Sequence, residues 1–249
     1  MKKPKGIIFD YGGTIDTNGK HWGEVLWDAY KDNKIPVTKT QFREAYIYAE
    51  RYLATHPVIQ SDFNFKEVLL AKIELQMNYL KEKDFLTVDR NFSQYTIAIS
   101  NQCYTFVCLV LEKTIPILQA LKREYPLVLV SNFYGNIEAV LKDFNLDSYF
   151  NAIIESSVVK IKKPNPAIFE LGIKALNFAP EEIVVIGDSY EKDIIPASKN
   201  GCQTIWLKGA GWNEEEIKAD WANLIITDFE ELKSVFQLEI DRYKLKTKN

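Results

Sequence analysis

Several features that would assign a chain quickly to a class are missing here. The three cysteines, Cys103, Cys108 and Cys202, are odd in number and lack metal-type spacing. That argues against a disulfide framework and a zinc site, and leaves them as small buried apolar residues. Neither sign of charge dominates: the net charge is −3, which offers no field suited to nucleic acid or anionic lipid, so no nucleic-acid or membrane partner is expected. Long hydrophobic runs are also absent. The longest, 106–111, cannot span a bilayer. The basic start Met1-Lys2-Lys3-Pro4-Lys5 leads into an apolar run that soon stops at an acid, too short for a signal peptide. No internal repeat is present, and the basic tail 244–249 is expected to fray. A cytoplasmic protein, monomer or homodimer, is the expectation.

What is present is an ordinary globular composition, 47% hydrophobic and 26% charged, in a chain of 249 residues, enough for a large domain or a core with an insert. Strand-like apolar runs recur at 6–9, 127–130, 152–154, 183–186, 204–207 and 224–226. Helical patterns separate the later ones. Ile115, Leu118 and Leu121 share a face, with Pro116 expected in the first turn. Ile137, Val140, Leu141 and Phe144 form another, and Ile168, Leu171, Ala175 and Leu176 follow Pro166. Asp228 with Glu231 reads as a capping box. This β-α alternation predicts an α/β fold, a Rossmann-like parallel sheet covered by helices on both faces.

Residues 17–111 differ. They carry helical periodicity with almost no strand signal, the last pattern running through Phe92, Tyr95, Ile99, Cys103, Phe106 and Val110. The prediction is an all-helical cap domain at 17–111, inserted into a core formed by 1–16 and 112–249, with two hinge crossings. Trp22, Trp27, Tyr46, Tyr48 and Tyr52 belong to this region; lid core and a substrate pocket are the two readings for them.

The chemistry gathers at predicted strand ends. Gly6-Ile7-Ile8-Phe9-Asp10-Tyr11-Gly12-Gly13-Thr14 is a buried strand delivering a carboxylate to the sheet edge where open α/β folds place ligands. Leu129-Val130-Ser131-Asn132 ends the second strand; Lys162-Lys163-Pro164-Asn165-Pro166 follows; Val185-Ile186-Gly187-Asp188 leads, five residues on, to Asp193. These four segments, in this order, resemble the motifs of the haloacid dehalogenase-like hydrolases, and in particular their helical-cap phosphatases. The resemblance covers the core, and the insert fits the family's helical cap type by position.

The resemblance implies roles. Asp10 is the nucleophile and Ser131 the hydroxyl that holds a phosphoryl oxygen. Lys163 is the cation between nucleophile and phosphate. Gly13, Thr14, Ser131, Asn132 and Lys163 are phosphate-binding positions. Asp10, Asp188, Asp193 and the backbone carbonyl of Gly12 hold Mg²⁺, which favours oxygen ligands. The substrate class is a small phosphorylated metabolite. One position departs from the pattern: Asp-x-Asp-Gly-Thr is here Asp10-Tyr11-Gly12-Gly13-Thr14, so the general acid/base of the phosphatases is replaced by Gly12. Three readings remain open. The chain is a phosphohydrolase in which the substrate or another group, Asp16 or His21, moves the proton; or it cleaves a carbon–halogen or carbon–phosphorus bond, the latter through a Schiff-base lysine among Lys20, Lys31, Lys34 and Lys39; or it is a non-catalytic phosphate-binding protein.

Overall fold

The computed structural model describes residues 1–86, 92–209 and 219–239. The tail 244–249 lies outside the described residues. Among them, six strands form one parallel sheet, β1 (Gly6–Phe9), β2 (Leu127–Ser131), β3 (Ala152–Glu155), β4 (Ile183–Gly187), β5 (Gln203–Leu207) and β6 (Leu224–Ile226), in the order β3-β2-β1-β4-β5-β6. Every run expected to be a strand is one. Four of these strands contain hardly a polar residue, because both faces of the sheet are covered.

Alternation along β1 separates the two layers. Ile7 and Phe9 point to the face covered by α4 (Phe92–Glu124), α5 (Ile137–Asp143) and α9 (Leu232–Val235). Ile8 points to the other, against Ile168, Phe169 and Leu176 of α7 (Ala167–Leu176) and Ala197 of α8 (Ile195–Lys199). A short α6 (Ser156–Val159) follows β3. Asp228 and Glu231 do form a capping box, ahead of a 3₁₀ turn and α9.

Between β1 and β2 lie α1 (Trp22–Asp32), α2 (Lys39–Leu53), α3 (Phe65–Glu82) and α4. Thr38 with Gln41 and Asn64 with Glu67 cap α2 and α3 reciprocally. Each helix buries an apolar stripe against its neighbours; that of α3 runs Val68, Leu69, Ile73, Met77 and Leu80.

The largest departure from expectation is α4. Two helices were expected, the second with Pro116 in its first turn; the structure has one helix with Pro116 in its interior. Proline removes an N–H there and disfavours the helix, ordinarily by about 3 kcal/mol. Burial outweighs that cost. Ile99, Cys103, Val107, Leu111, Ile117, Leu118 and Leu121 form one continuous buried stripe through the proline, the first part packing among α1 and α3 and the last on the sheet. Phe106 and Val110, expected on that stripe, are only half-buried. The division expected at residue 112 therefore falls inside a helix. From Ser93 onward α4 is also long and apolar enough to cross a membrane by length and composition, but here it is the shared core helix of the insert and the sheet.

Candidate active site

Strand register assembles the site. Phe9 of β1 is level with Leu129 of β2 and Ile186 of β4, so Asp10, Ser131 and Asp188 emerge within two residues of one line across the sheet edge. Asp10, Thr14, Ser131, Lys163 and Asp193 are all buried, while Asp188 is half-exposed.

Lys163 is the electrostatic centre. Its ammonium donates to Asp10 Oδ1 and, over 2.7 Å, to Asp193 Oδ1, with its side chain only 3% exposed. Burial pulls the ammonium toward deprotonation, but the carboxylates of Asp10 and Asp193 outweigh it and hold its pKa above the ordinary lysine value. Asn132 fixes the lysine backbone from β2: its Nδ2 donates to Lys163 O (3.0 Å), and its Oδ1 accepts from Lys163 N (2.9 Å). The peptide bond that follows, Lys163–Pro164, is cis. Asn132 thus positions Lys163 with a side chain whose amide is already engaged, a contact with no signal in the local sequence.

Carboxylates of Asp10, Asp188 and Asp193 offer oxygens that all lie within 4.8 Å of one another. Burial first, then the charges of Asp10 and Asp193, push the Asp188 carboxyl well above the usual range. Burial likewise pushes Asp193 up to about 6, against the pull of Lys163. Three carboxylates against one ammonium leave two negative charges uncompensated, and oxygen donors so crowded fit a hard divalent cation such as Mg²⁺. Asp193 reaches the cluster from a single π-helical turn, Tyr190–Ile194, where Ser189 N donates to its Oδ2. A Cβ on Gly187 would lie 2.5 Å from that of Asp193, so the glycine is what admits the acid. Trp206 holds the Asp188 backbone through its indole N–H, 2.8 Å from Asp188 O.

Thr14 sits between two of the acids. Its hydroxyl lies 2.9 Å from Asp10 Oδ2 and 3.3 Å from Asp188 Oδ1, and accepts from Asp188 N. Gly13 has φ +102°, and a Cβ there would collide with the Asp188 carboxylate at 2.4 Å. Its N–H donates to Asp16 Oδ1 (2.7 Å), while Trp22 Nε1 donates to Asp16 Oδ2 (2.9 Å). Both Asp16 oxygens are thereby engaged, and burial pushes this carboxyl up to about 7. So Thr14 and the Gly13 amide, expected to meet phosphate, have partners within the protein, and Asp16 braces the turn after β1 against α1. Around Gly12 the space is open: a Cβ would have nothing within 4 Å, and the backbone is outside the left-handed region.

His21 caps α1, its Nδ1 accepting from Gly23 N (3.0 Å). Burial, then the charge of Lys192, lowers its pKa to about 4, so the ring is neutral at ordinary pH. Lys20 and Lys31 pair with Asp28, Lys39 pairs with Glu24, and Lys34 is exposed; none is desolvated. Trp22 and Trp27 pack against Phe65 and Phe42 within the helical insert. Tyr48 and Tyr52 line an outer groove with Tyr79 and His56.

The insert contributes a cluster that pattern reading missed. Lys72 on α3 and Glu50 on α2 form an ion pair of 2.7 Å, and Tyr134, three residues beyond β2, donates to Glu50 Oε2 (2.9 Å). Lys72 stood out in one respect: it lies on the apolar stripe of α3 between Leu69 and Ile73.

A family model described as haloacid dehalogenase-like hydrolase matches residues 4–201. The chain belongs to that family. It is a hydrolase of the haloacid dehalogenase-like group, with that group's α/β fold. Its relatives include a glyceraldehyde 3-phosphate phosphatase from Pyrococcus furiosus, 30% identical over 96% of this chain and 95% of that protein. A phosphoglycolate phosphatase from Photorhabdus laumondii is 27% identical over 96% of this chain and 94% of that one. Among solved structures, the HAD-hydrolase YfnB from Bacillus subtilis, bound to magnesium, superposes with a TM-score of 0.58 at 18% identity, covering 94% of this chain and 99% of that one, a likeness of fold.

Proposed function

We propose that this haloacid dehalogenase-like hydrolase is a Mg²⁺-dependent phosphohydrolase acting on a small phosphorylated metabolite through an aspartyl-phosphate at Asp10. The observation that carries the reading is the buried Lys163 ammonium held between Asp10 and Asp193, with Asp188 completing a three-carboxylate cluster. Phosphatase relatives matched along nearly their whole length support it. Residues 17–111 act as the cap over the core of 1–16 and 112–249.

In this reading an Asp10 oxygen attacks phosphorus, the bond to the leaving oxygen breaks, and the leaving group takes up a proton from solvent water. Water then attacks phosphorus, the bond to Asp10 breaks, and phosphate and the free carboxylate are restored. Lys163 lies where it can screen Asp10 from an incoming phosphate: two unit charges ~4 Å apart repel by about 4 kcal/mol at an effective dielectric near 20. Ser131, buried at the end of β2, and the Asn132 N–H take phosphoryl oxygens. Asp10, Asp188, Asp193 and the Gly12 carbonyl would hold Mg²⁺, which when bound supplies charge neutralisation at the phosphoryl oxygens. Gly12 supplies no proton. The Asp16 carboxyl, although pushed up to about 7, has both oxygens held by N–H groups of the protein, and His21 is neutral; with neither delivering a proton, the leaving group's own acidity sets the rate. Lys72, the buried lysine of the insert, is held well above the usual lysine pKa, which opposes Schiff-base chemistry there.

The test is turnover of aryl, acyl and alkyl phosphates with Mg²⁺. Expected are faster rates for more acidic leaving groups, with loss of activity in chelator and in Asp10→Asn. No turnover of any phosphate contradicts the reading. Tight phosphate binding unaffected by Asp10→Asn, without chemistry, identifies a binding protein instead.

A further inference from the structure

The Glu50–Lys72–Tyr134 cluster spans the insert and the core. Glu50 comes from α2, Lys72 from α3, and Tyr134 from the loop that carries Ser131 and Asn132. It lies beside the acidic site: Tyr134 follows Ser131 by three residues, and the intervening Phe133 packs edge-on against Tyr11, the neighbour of Asp10, with ring centroids 6.0 Å apart. Glu50 is also open. Its side chain is 33% exposed, with Oε1 turned inward.

The cluster is polar but electrically balanced. Burial alone would discharge Lys72, but Glu50 and the hydroxyls of Tyr134 and Tyr46 hold its pKa well above the ordinary value. The Glu50 carboxyl is correspondingly held low. Lys72 lies 2.7 Å from Glu50 Oε1, which is buried, so the carboxylate meets a ligand through Oε2, which accepts from Tyr134 and keeps a further lone pair. The ammonium has three protons, and the Tyr134 oxygen, donating to Glu50, can still accept. His21 adds a neutral ring near Tyr46. Such a set of alternating donors and acceptors suits hydroxyl groups, which both donate and accept. It suits a second carboxylate poorly, because Lys72 is already neutralised and Glu50 would repel the newcomer. Lys192 is exposed, so water weakens its attraction for such a carboxylate without removing it.

We infer that Glu50, Lys72 and Tyr134 form the recognition site for the leaving group, selecting a neutral polyhydroxy phosphate, of the glycerol or sugar type, over a phosphate ester that bears a carboxylate. This rests on the phosphohydrolase reading. Glycerol 1-phosphate and 2-phosphoglycolate both release an alkyl alcohol, so their comparison isolates recognition from proton transfer.

The experiment measures kcat and KM for both esters with Mg²⁺, and for p-nitrophenyl phosphate as a generic ester. Wild type should favour glycerol phosphate in kcat/KM by about tenfold or more. Glu50→Gln, which leaves the Lys72 cation unpaired, should lower that preference at least tenfold, chiefly through a lower KM for phosphoglycolate. Lys72→Met, which leaves Glu50 alone, should raise it, and Tyr134→Phe should raise the KM for glycerol phosphate several-fold. A gain on phosphoglycolate in Glu50→Gln is not what a merely structural defect produces. Hydrolysis of p-nitrophenyl phosphate with no wild-type preference, or with both esters impaired equally in all three variants, overturns this inference alone. Hydrolysis of none of the three phosphates overturns the phosphohydrolase reading and this one with it.

Discussion

Replacing Lys163 with methionine tests whether the site is an electrostatically frustrated cluster. Methionine keeps much of the volume and removes the charge. In the native protein the ammonium, on a side chain 3% exposed, lies between two carboxylates that are 6% and 1% exposed, leaving little water to compensate. Removing one partner of a buried pair typically costs 3–5 kcal/mol. Repulsion gives a similar figure: unit charges 4.8 Å apart, the outer limit for one oxygen of each acid, repel by about 3 kcal/mol at an effective dielectric near 20. The sign with pH follows. Carboxyls whose folded pKa is raised destabilise the native state as pH rises from the unfolded value through the folded one, and losing Lys163 raises them further. Urea unfolding of wild type and Lys163→Met, in chelator at pH 5.5 and 7.5, should show a loss of about 3–5 kcal/mol at the higher pH and a clearly smaller loss at the lower one. Millimolar Mg²⁺ should restore part of it, by linkage. A loss under about 1 kcal/mol that ignores both pH and Mg²⁺ would refute the electrostatic argument.

Three further outcomes are expected. Asp16, with its pKa raised from 3.8 to about 7, weakens the native state on ionising by on the order of 4 kcal/mol, so stability falls as pH rises between these values. Asp16→Asn should flatten that fall in urea midpoints; an unchanged slope contradicts the assignment. His21 should titrate near 4 in an NMR experiment on its ring, and a midpoint near 6.5 would mean the ring is solvated. Gly13→Ala should destabilise the protein by more than about 1–2 kcal/mol, from φ +102° and the clash with Asp188, measured by thermal unfolding; a neutral substitution would show that the turn is not held there.

The sheet was legible in the sequence because its strands, buried on both faces, reduce to short apolar runs, and the acids stand at the ends of those runs. Asp10, Lys163, Asp188 and Asp193 could be proposed together from residue type and order. What could not be read depends on contacts between distant segments. Pro116 marks a helix start by local rules, yet the stripe from Ile99 to Leu121 carries α4 through it. Asn132 looked like part of a phosphate loop, and its side chain instead clamps a backbone 31 residues away. Glu50 and Lys72 are 22 positions apart on different helices, and only packing of α2 on α3 joins them. Thr14 and Gly13 were expected to meet phosphate, and their partners within the protein, Asp10 for one and Asp16 for the other, are set by the turn after β1.

Gly12→Asp tests the central claim most directly, namely that this site lacks proton transfer and little else. Open space beside Gly12 and its ordinary backbone leave room for the side chain. General acid/base assistance is worth roughly 10²–10⁴-fold, about 3–5 kcal/mol of barrier. Turnover of an alkyl phosphate with saturating Mg²⁺ should therefore rise by about 10²-fold or more, and rise less for an aryl phosphate, whose leaving group needs less help. A folded, Mg²⁺-binding variant with no gain on the alkyl ester would contradict the account.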